Sequence, residues 1–282
     1  MSEQPLVSVR TATYNHEKFI GQCLEGILMQ RTDFPYEVVI GEDCSTDRTQ
    51  EIVLAYEKKY PDKIHVRTSE MNVGPARNSL RIHQACRGKY HAMCEGDDYW
   101  IDPLKLQKQV DFMEAHPDVS LCFHNAFVVR ENVLNATLFL RSAMKEMLTF
   151  EDACQTTIPT ASVMARSEIL ATLPEWRVKI WCGDVLFRLW CAHHGNLGYL
   201  NEIMSVYRRH PGCLRIMMRP LRERRYAEEM FLYREFDKET HYQHTAIIQA
   251  WVREVEGRFQ RERLGRLYFL LHPDRFIAKL KK

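Results

Sequence analysis

Three carboxylates, Glu95, Asp97 and Asp98, fall within four residues of one another, interrupted only by Gly96. They lie where a short strand-like run, Lys89–Cys94, gives way to an amphipathic stretch opened by Pro103. The pattern predicts a turn that leaves a buried strand and enters a helix. Clustered carboxylates repel and cost stability unless a cation or hydrogen-bond donors share the site. Two readings follow. One is a solvated acidic turn; the other is a divalent-cation site at the carboxyl edge of a sheet, where open α/β folds keep their ligands.

The surrounding chain predicts such a sheet. Leu6–Ala12 is short and β-branched, and His16–Gln30 carries apolar residues at helical spacing. Glu37–Gly41 reads as a second strand, followed by a helix that Asp47 is placed to cap and that runs to about Lys59. Ile64–Thr68 is a third strand, and Pro75 opens a third helix running to about Arg87. Lys89–Cys94 is the fourth strand. Four strands alternating with three helices in about a hundred residues argue for a mostly parallel sheet with helices on both faces.

Beyond the acidic turn, Asp102 and Pro103 announce a helix, and Val119–Arg130 reads as a long strand with Val133–Leu140 as its hairpin partner. Thr149–Arg166 holds a short helix and a strand at Thr160–Met164. Gly183–Gly195 is helical and Met204–Arg208 is a further strand. Past Pro220 the chain is charged and periodic, read as two helices with Trp251 and Val255 facing inward. The expected division is residues 1–215, with a nucleotide-binding half to 100 and an acceptor half after it, then a helical basic extension over 216–282.

In a parallel sheet the strand ends share one edge, so Asp43 after the second strand meets the Glu95/Asp97/Asp98 group after the fourth. Tyr14, after the first strand, offers that edge a flat face and a hydroxyl. An aromatic platform, a lone carboxylate and a metal-binding pair suit a nucleotide diphosphate. Neither G-x-x-x-x-G-K-[ST] nor G-x-G-x-x-G occurs, so the site is neither a P-loop nor a dinucleotide fingerprint.

Four motifs in order, Val7-Ser8-Val9 … Thr13-Tyr14-Asn15, Glu37–Asp47, Gly88-Lys89-Tyr90 and Glu95-Gly96-Asp97-Asp98, resemble glycosyltransferase family 2 of the GT-A fold. The resemblance is clear over residues 5–130 and looser over 155–212. It implies an inverting transfer of a sugar from a nucleotide donor, commonly a UDP-sugar, with Mn²⁺ or Mg²⁺, to a saccharide or lipid-linked acceptor of polysaccharide and cell-envelope synthesis. Tyr14 would flank the base and Asp43 would accept from it. Glu95-Gly96-Asp97 stands where the family has Asp-x-Asp, so Asp97 would bind metal, Glu95 a ribose hydroxyl, and Asp98 would support them. Glu95 departs from the commoner Asp, and Arg10 from the usual apolar residue of the first strand. Arg77 lies near a basic donor-facing position. Asp184, in Trp181-Cys182-Gly183-Asp184, matches the motif that supplies the general base; its other reading is a helix N-cap. His210, in Tyr207–Gly212, matches a loop histidine that can complete the metal site. Trp100 and Trp181 are candidates for stacking on sugar rings, against core packing as the alternative.

Composition excludes other classes. With 282 residues, 45% of them hydrophobic, the chain can bury a large core, and its net charge of +2 gives no global attraction to nucleic acid. From Arg219 to Lys282, eleven Arg and four Lys stand against ten Asp and Glu, which allows a peripheral membrane contact through 219–282. Nine cysteines without a C-x-x-C pair read as free thiols in a reducing compartment, and no signal peptide or membrane helix is visible, so a cytoplasmic protein is expected. Two rivals remain: a sugar-nucleotide pyrophosphorylase, opposed by the absence of glycine in Val7–Asn15, and a non-catalytic membrane-surface binding protein, opposed by the intact acidic turn.

Overall fold

The computed structural model describes residues 4–130, 133–218 and 220–271. The chain divides into two compact units, Met1–Leu221 and Arg222–Lys282. The first contains β1 (Val7–Thr13), α1 (Ile20–Leu28), β2 (Tyr36–Glu42), α2 (Thr49–Lys59), β3 (Ile64–Arg67), α3 (Pro75–Ala85) and β4 (Tyr90–Met93). It continues with β5 (Tyr99–Trp100), α4 (Lys105–Ala115), β6 (Val119–Arg130), β7 (Val133–Leu138), β8 (Met147–Leu148) and α5 (Phe150–Gln155). It ends with β9 (Met164–Arg166), α6 (Ser167–Ala171), α7 (Gly183–His194), β10 (Asn196–Arg209) and α8 (Leu214–Met217). The second unit holds α9 (Arg222–Glu239) and α10 (Thr245–Leu271).

The sheet runs β3-β2-β1-β4-β9-β6-β10-β5. β1, β2, β3 and β4 are mutually parallel, as expected from strands that alternate with helices. β9 is antiparallel to both β4 and β6, and β10 is parallel to β6. Side chains alternate between the two faces of a strand. On β1, Val7 and Val9 pack into a core with Ile20, Leu24, Val53 and Leu106, which places α1, α2 and α4 on one face. Ser8 and Arg10 point the other way, where Arg10 Nη2 donates to the Ser79 carbonyl at 2.9 Å and to Ser79 Oγ at 2.8 Å on α3.

Several local expectations shift. Thr160–Ser162 is a 3-10 turn and the strand begins only at Met164. Asp47 does not cap α2 directly: it lies two residues ahead, its Oδ1 accepting from Thr49 N at 2.9 Å while Oδ2 accepts from Glu17 N. Asp102 likewise stands ahead of α4, accepting from Leu104 N at 2.8 Å. Pro75 is the first residue of its helix, entered from Gly74 at φ 85°, a conformation that favours glycine. All nine cysteines are free.

In the second unit, Leu232, Tyr233, Phe236, Ile248 and Val255 are buried, and Trp251 Nε1 donates to Tyr233 Oη at 2.7 Å across the two helices. Among the described residues no helix is long and apolar enough to cross a membrane. Of the basic extension, positions 219 and 272–282 lie outside the described residues.

Candidate active site

The parallel register brings the predicted residues together. Thr13 pairs with Glu42, and Arg10 with Met93, so β1, β2 and β4 end at one edge. There Thr13 O accepts from Asp43 N at 3.1 Å, and Ala12 O accepts from Gly96 N at 2.9 Å. The acidic turn is therefore sewn onto the end of β1 by backbone bonds. Its exit, β5, pairs antiparallel with β10 (Tyr99 with Val206), which carries the chain after β10 back over the turn.

That return places His210 on Asp97. His210 Nε2 lies 3.0 Å from Asp97 Oδ2, with the imidazole packed on the Phe19 ring at 4.6 Å between centroids. Arg208 Nη1 donates to Asp97 O at 2.6 Å, and its backbone N–H donates to Asp98 Oδ1 at 2.8 Å. The Arg208 guanidinium also bonds Gln22 and stacks over Tyr99 at 4.3 Å. Asp98 is buried at the base of the turn, tied to β10 through its bond from the Arg208 N–H.

The three carboxylates are electrostatically distinct. Burial would raise Asp97, but the hydrogen bond from His210 and the charges of His16 and His210 outweigh it and hold the carboxyl below its ordinary value. Burial, with Asp97 and Glu95 alongside, pushes Asp98 well up. Glu95 is pushed up to about 8 by burial, then by Asp97 and Asp184, with Arg10 pulling the other way. The Asp184 charge thus reaches Glu95, although 89 positions separate them in the sequence.

Asp184 is exposed in the first turn of α7, and Cys182 occupies the N-cap position. The capping reading therefore does not apply, and the carboxylate faces solvent. Trp181 is half-buried just ahead of it. Tyr14 is 40% exposed, which leaves its ring available at the edge. Asp43 is buried, and both of its oxygens are engaged: Oδ1 accepts from Val73 N at 2.9 Å and from Ser69 Oγ, and Oδ2 accepts from Gly74 N at 2.9 Å. Each carboxylate oxygen can accept two bonds, so Oδ2 keeps capacity for a further donor. Arg77 is exposed in the first turn of α3; one turn on, Arg81 bonds Thr68 O and approaches Asp43 to 3.9 Å.

One site assignment is corrected. Trp100 is not a sugar platform: it is 1% exposed, its Nε1 donates to Ala161 O at 2.8 Å, and Lys105 Nζ covers its ring at 4.0 Å. Both the face and the polar edge of the ring are committed to the core.

Sequence reasoning did not single out His16 or Arg208. His16 Nε2 is 3.9 Å from Asp97 Oδ2, and its Nδ1 shares a 3.2 Å hydrogen bond with Thr13 Oγ1. Burial holds His16 below its ordinary value against the pull of Asp97. His16, Asp97 and His210 offer ligand atoms within 4.8 Å of one another, the donor chemistry of a divalent-cation site, so the residues present fit the ion that the resemblance implies.

The sequence profile of the family described as glycosyl transferase family 2 matches residues 8–169, a span that includes Tyr14, Asp43 and the acidic turn. The chain belongs to glycosyl transferase family 2. Among family relatives, the uncharacterized protein Rv1520 of Mycobacterium tuberculosis is 35% identical over 205 residues, covering 72% of this chain. The match spans only 59% of that relative's length. The fold resembles the crystal structure of Staphylococcus aureus TarS 1–349 in complex with UDP-GlcNAc, with TM-score 0.66 and 22% identity over 87% of this chain and 71% of that one. It also resembles the mannosyltransferase PcManGT of Pyrobaculum calidifontis in complex with GDP-Man and Mn²⁺, with TM-score 0.60 and 17% identity over 99% and 84% of the two chains. At these identities the two structures establish a shared GT-A architecture, the mostly parallel sheet flanked by helices expected from the sequence.

Proposed function

We propose that this family 2 protein transfers a sugar from a nucleotide donor, a UDP-sugar, to a hydroxyl of a saccharide or lipid-linked saccharide acceptor, in a single displacement with inversion. The observation that carries this reading is the convergence of Tyr14, Asp43, Glu95 and Asp97 on one strand edge, with the Asp184 charge felt at Glu95. The nucleotide complexes of TarS and PcManGT support a nucleotide sugar as the ligand of that edge.

In this reading the exposed Tyr14 ring flanks the base, and Asp43, which also pins the 73–74 backbone, accepts from it. Glu95 meets a ribose hydroxyl, and Arg77 offers charge to the donor. Asp97 and His210 would hold Mn²⁺ or Mg²⁺, which when bound would supply a Lewis acid for the charge of the leaving diphosphate. Asp98 and Arg208 hold the turn in place. Asp184, solvent-facing at the start of α7, takes the proton of the attacking acceptor hydroxyl, and Trp181 lines the acceptor side. Residues 219–282 rest on an anionic membrane surface, which liposome flotation at low and high salt checks.

The test is a panel of nucleotide sugars, screened by thermal shift with Mn²⁺ and then by turnover on candidate acceptors. A donor that raises the melting temperature and is consumed only with acceptor supports the assignment. No response to any donor would remove it.

A further inference from the structure

His16 has no role in the reading above, yet it is held against the metal candidates by several constraints. Its backbone N–H donates to Thr49 Oγ1 at 2.7 Å, and its Nδ1 is engaged by Thr13 Oγ1 at 3.2 Å. Its ring stands edge-on to that of His210, with centroids 6.1 Å apart and planes at 85°. Fixing Nδ1 leaves Nε2 directed toward Asp97, the way outer hydrogen bonds set the tautomer and orientation of metal-binding histidines.

The distance is informative. Asp97 Oδ2 and His16 Nε2 are 3.9 Å apart, too long for a hydrogen bond. An ion about 2.1 Å from each ligand separates neighbouring ligands by about 3.0 Å in octahedral geometry and about 3.4 Å in tetrahedral geometry. The His210–Asp97 separation of 3.0 Å and the His16–Asp97 separation of 3.9 Å bracket the tetrahedral value, and the whole set lies within 4.8 Å. Moving the His16 imidazole about half an ångström or more toward Asp97 and His210 closes the triad around one ion.

We propose that His16 is a third protein ligand of this site, and that the resulting His–Asp–His set selects a borderline transition ion such as Mn²⁺ or Co²⁺ over Mg²⁺. Two imidazoles and one carboxylate suit the first-row transition metals, whereas Mg²⁺ demands oxygen ligands and gives up water reluctantly. The proposal deepens the glycosyl-transfer reading and rests on it for the purpose of the ion, but not for the ligands.

The test reads the ion directly. Pulsed electron paramagnetic resonance on the full chain loaded with Mn²⁺, alone and with UDP, counts imidazole nitrogens through their modulation of the spin echo. Two imidazoles are expected in the wild type and one in His16→Ala, with the Mn²⁺ affinity of the variant reduced at least about tenfold. Mg²⁺ in tenfold excess should leave most Mn²⁺ bound to the wild type. A single imidazole in the wild type overturns the proposal whether or not the variant folds. Failure to retain Mn²⁺ under either condition, or its displacement by equimolar Mg²⁺, overturns it too. A wild type with two imidazoles that turns over no nucleotide sugar would instead overturn the proposed function and leave the ligand set standing.

Discussion

His210 Nε2 lies 3.0 Å from Asp97 Oδ2 across 113 residues of sequence, and this contact ties the chain after β10 to the turn after β4. The pairing of β5 with β10 makes it possible by bringing the two strand ends side by side. Asp97→Asn keeps the volume and removes the charge. Calorimetry with UDP should show the variant, with Mn²⁺ present, binding no better than the wild type in chelator. Equal metal-dependent binding in the two proteins would sink the metal role of Asp97.

Asp184 has a different signature. It stands in the first turn of α7 without capping it, and its charge reaches Glu95. Asp184→Asn should leave donor binding intact while turnover falls by about 10²–10⁴, the usual range for loss of a positioned acid–base group. Paired calorimetry and single-turnover kinetics separate these effects. Near-normal turnover excludes Asp184 as the base.

What could be read ahead of the structure follows from what carries periodicity. β1 to β4 and the helices between them were legible because buried parallel strands and amphipathic helices imprint their period on the chain. From that order, the meeting of Asp43 with Glu95 and Asp97 followed by topology alone. β5 was not legible, since two residues have no period, and β5 is what aligns the end of β10 with the acidic turn. His16 and Arg208 were missed for the same reason: their partner, Asp97, comes near only through the folded chain. Trp100 was misread because a tryptophan beside an acidic turn looks the same in sequence whether it faces a sugar or the core. The buried Lys105 beneath it decides the matter.

Gly96 separates the carboxylates because nothing larger fits. A Cβ there would lie 2.6 Å from Thr13 Oγ1, 2.8 Å from Thr13 Cβ and 2.9 Å from His16 Nδ1. Thr13 Cβ is fixed to the β1 backbone held in the sheet, so moving the His16 ring cannot relieve the clash and the acidic turn itself must shift. Gly96→Ala should cost about 1–3 kcal/mol, the range for overpacking a filled site, and should weaken Mn²⁺ binding as Asp97 moves away from its histidine partners. Thermal unfolding and Mn²⁺ titration check the two effects. A variant unchanged in both would show that the turn has room that its contacts deny.

Lys105 makes stability depend on pH in a direction that can be worked out. It is fully buried, with Nζ 4.0 Å over the Trp100 ring and 2.5 Å from Gln109 Oε1. Burial lowers its pKa from the ordinary 10.5 to about 7, with the Cys94 and Cys122 thiols pulling upward. Between those values the unfolded chain binds the proton and the folded chain does not, so stability rises with pH. Below about 7 both states are protonated and the full penalty is present. Cys94 and Cys122, raised by burial, work in the opposite sense only above about 8.5, where the unfolded thiols ionise first. His124, held well down by burial, is neutral throughout this window. From pH 7 to 8.5 Lys105 should therefore contribute about 1–2 kcal/mol of stability. Glu95, pushed up to about 8, works in the opposite sense over the same window, but alike with and without Lys105, so the difference between wild type and variant isolates the lysine. Lys105→Met removes that slope. It also strips Gln109 Oε1 of a donor, which displaces the whole curve without tilting it. Urea unfolding of both proteins at the two pH values makes the comparison, and parallel curves would show that the buried amine keeps its proton.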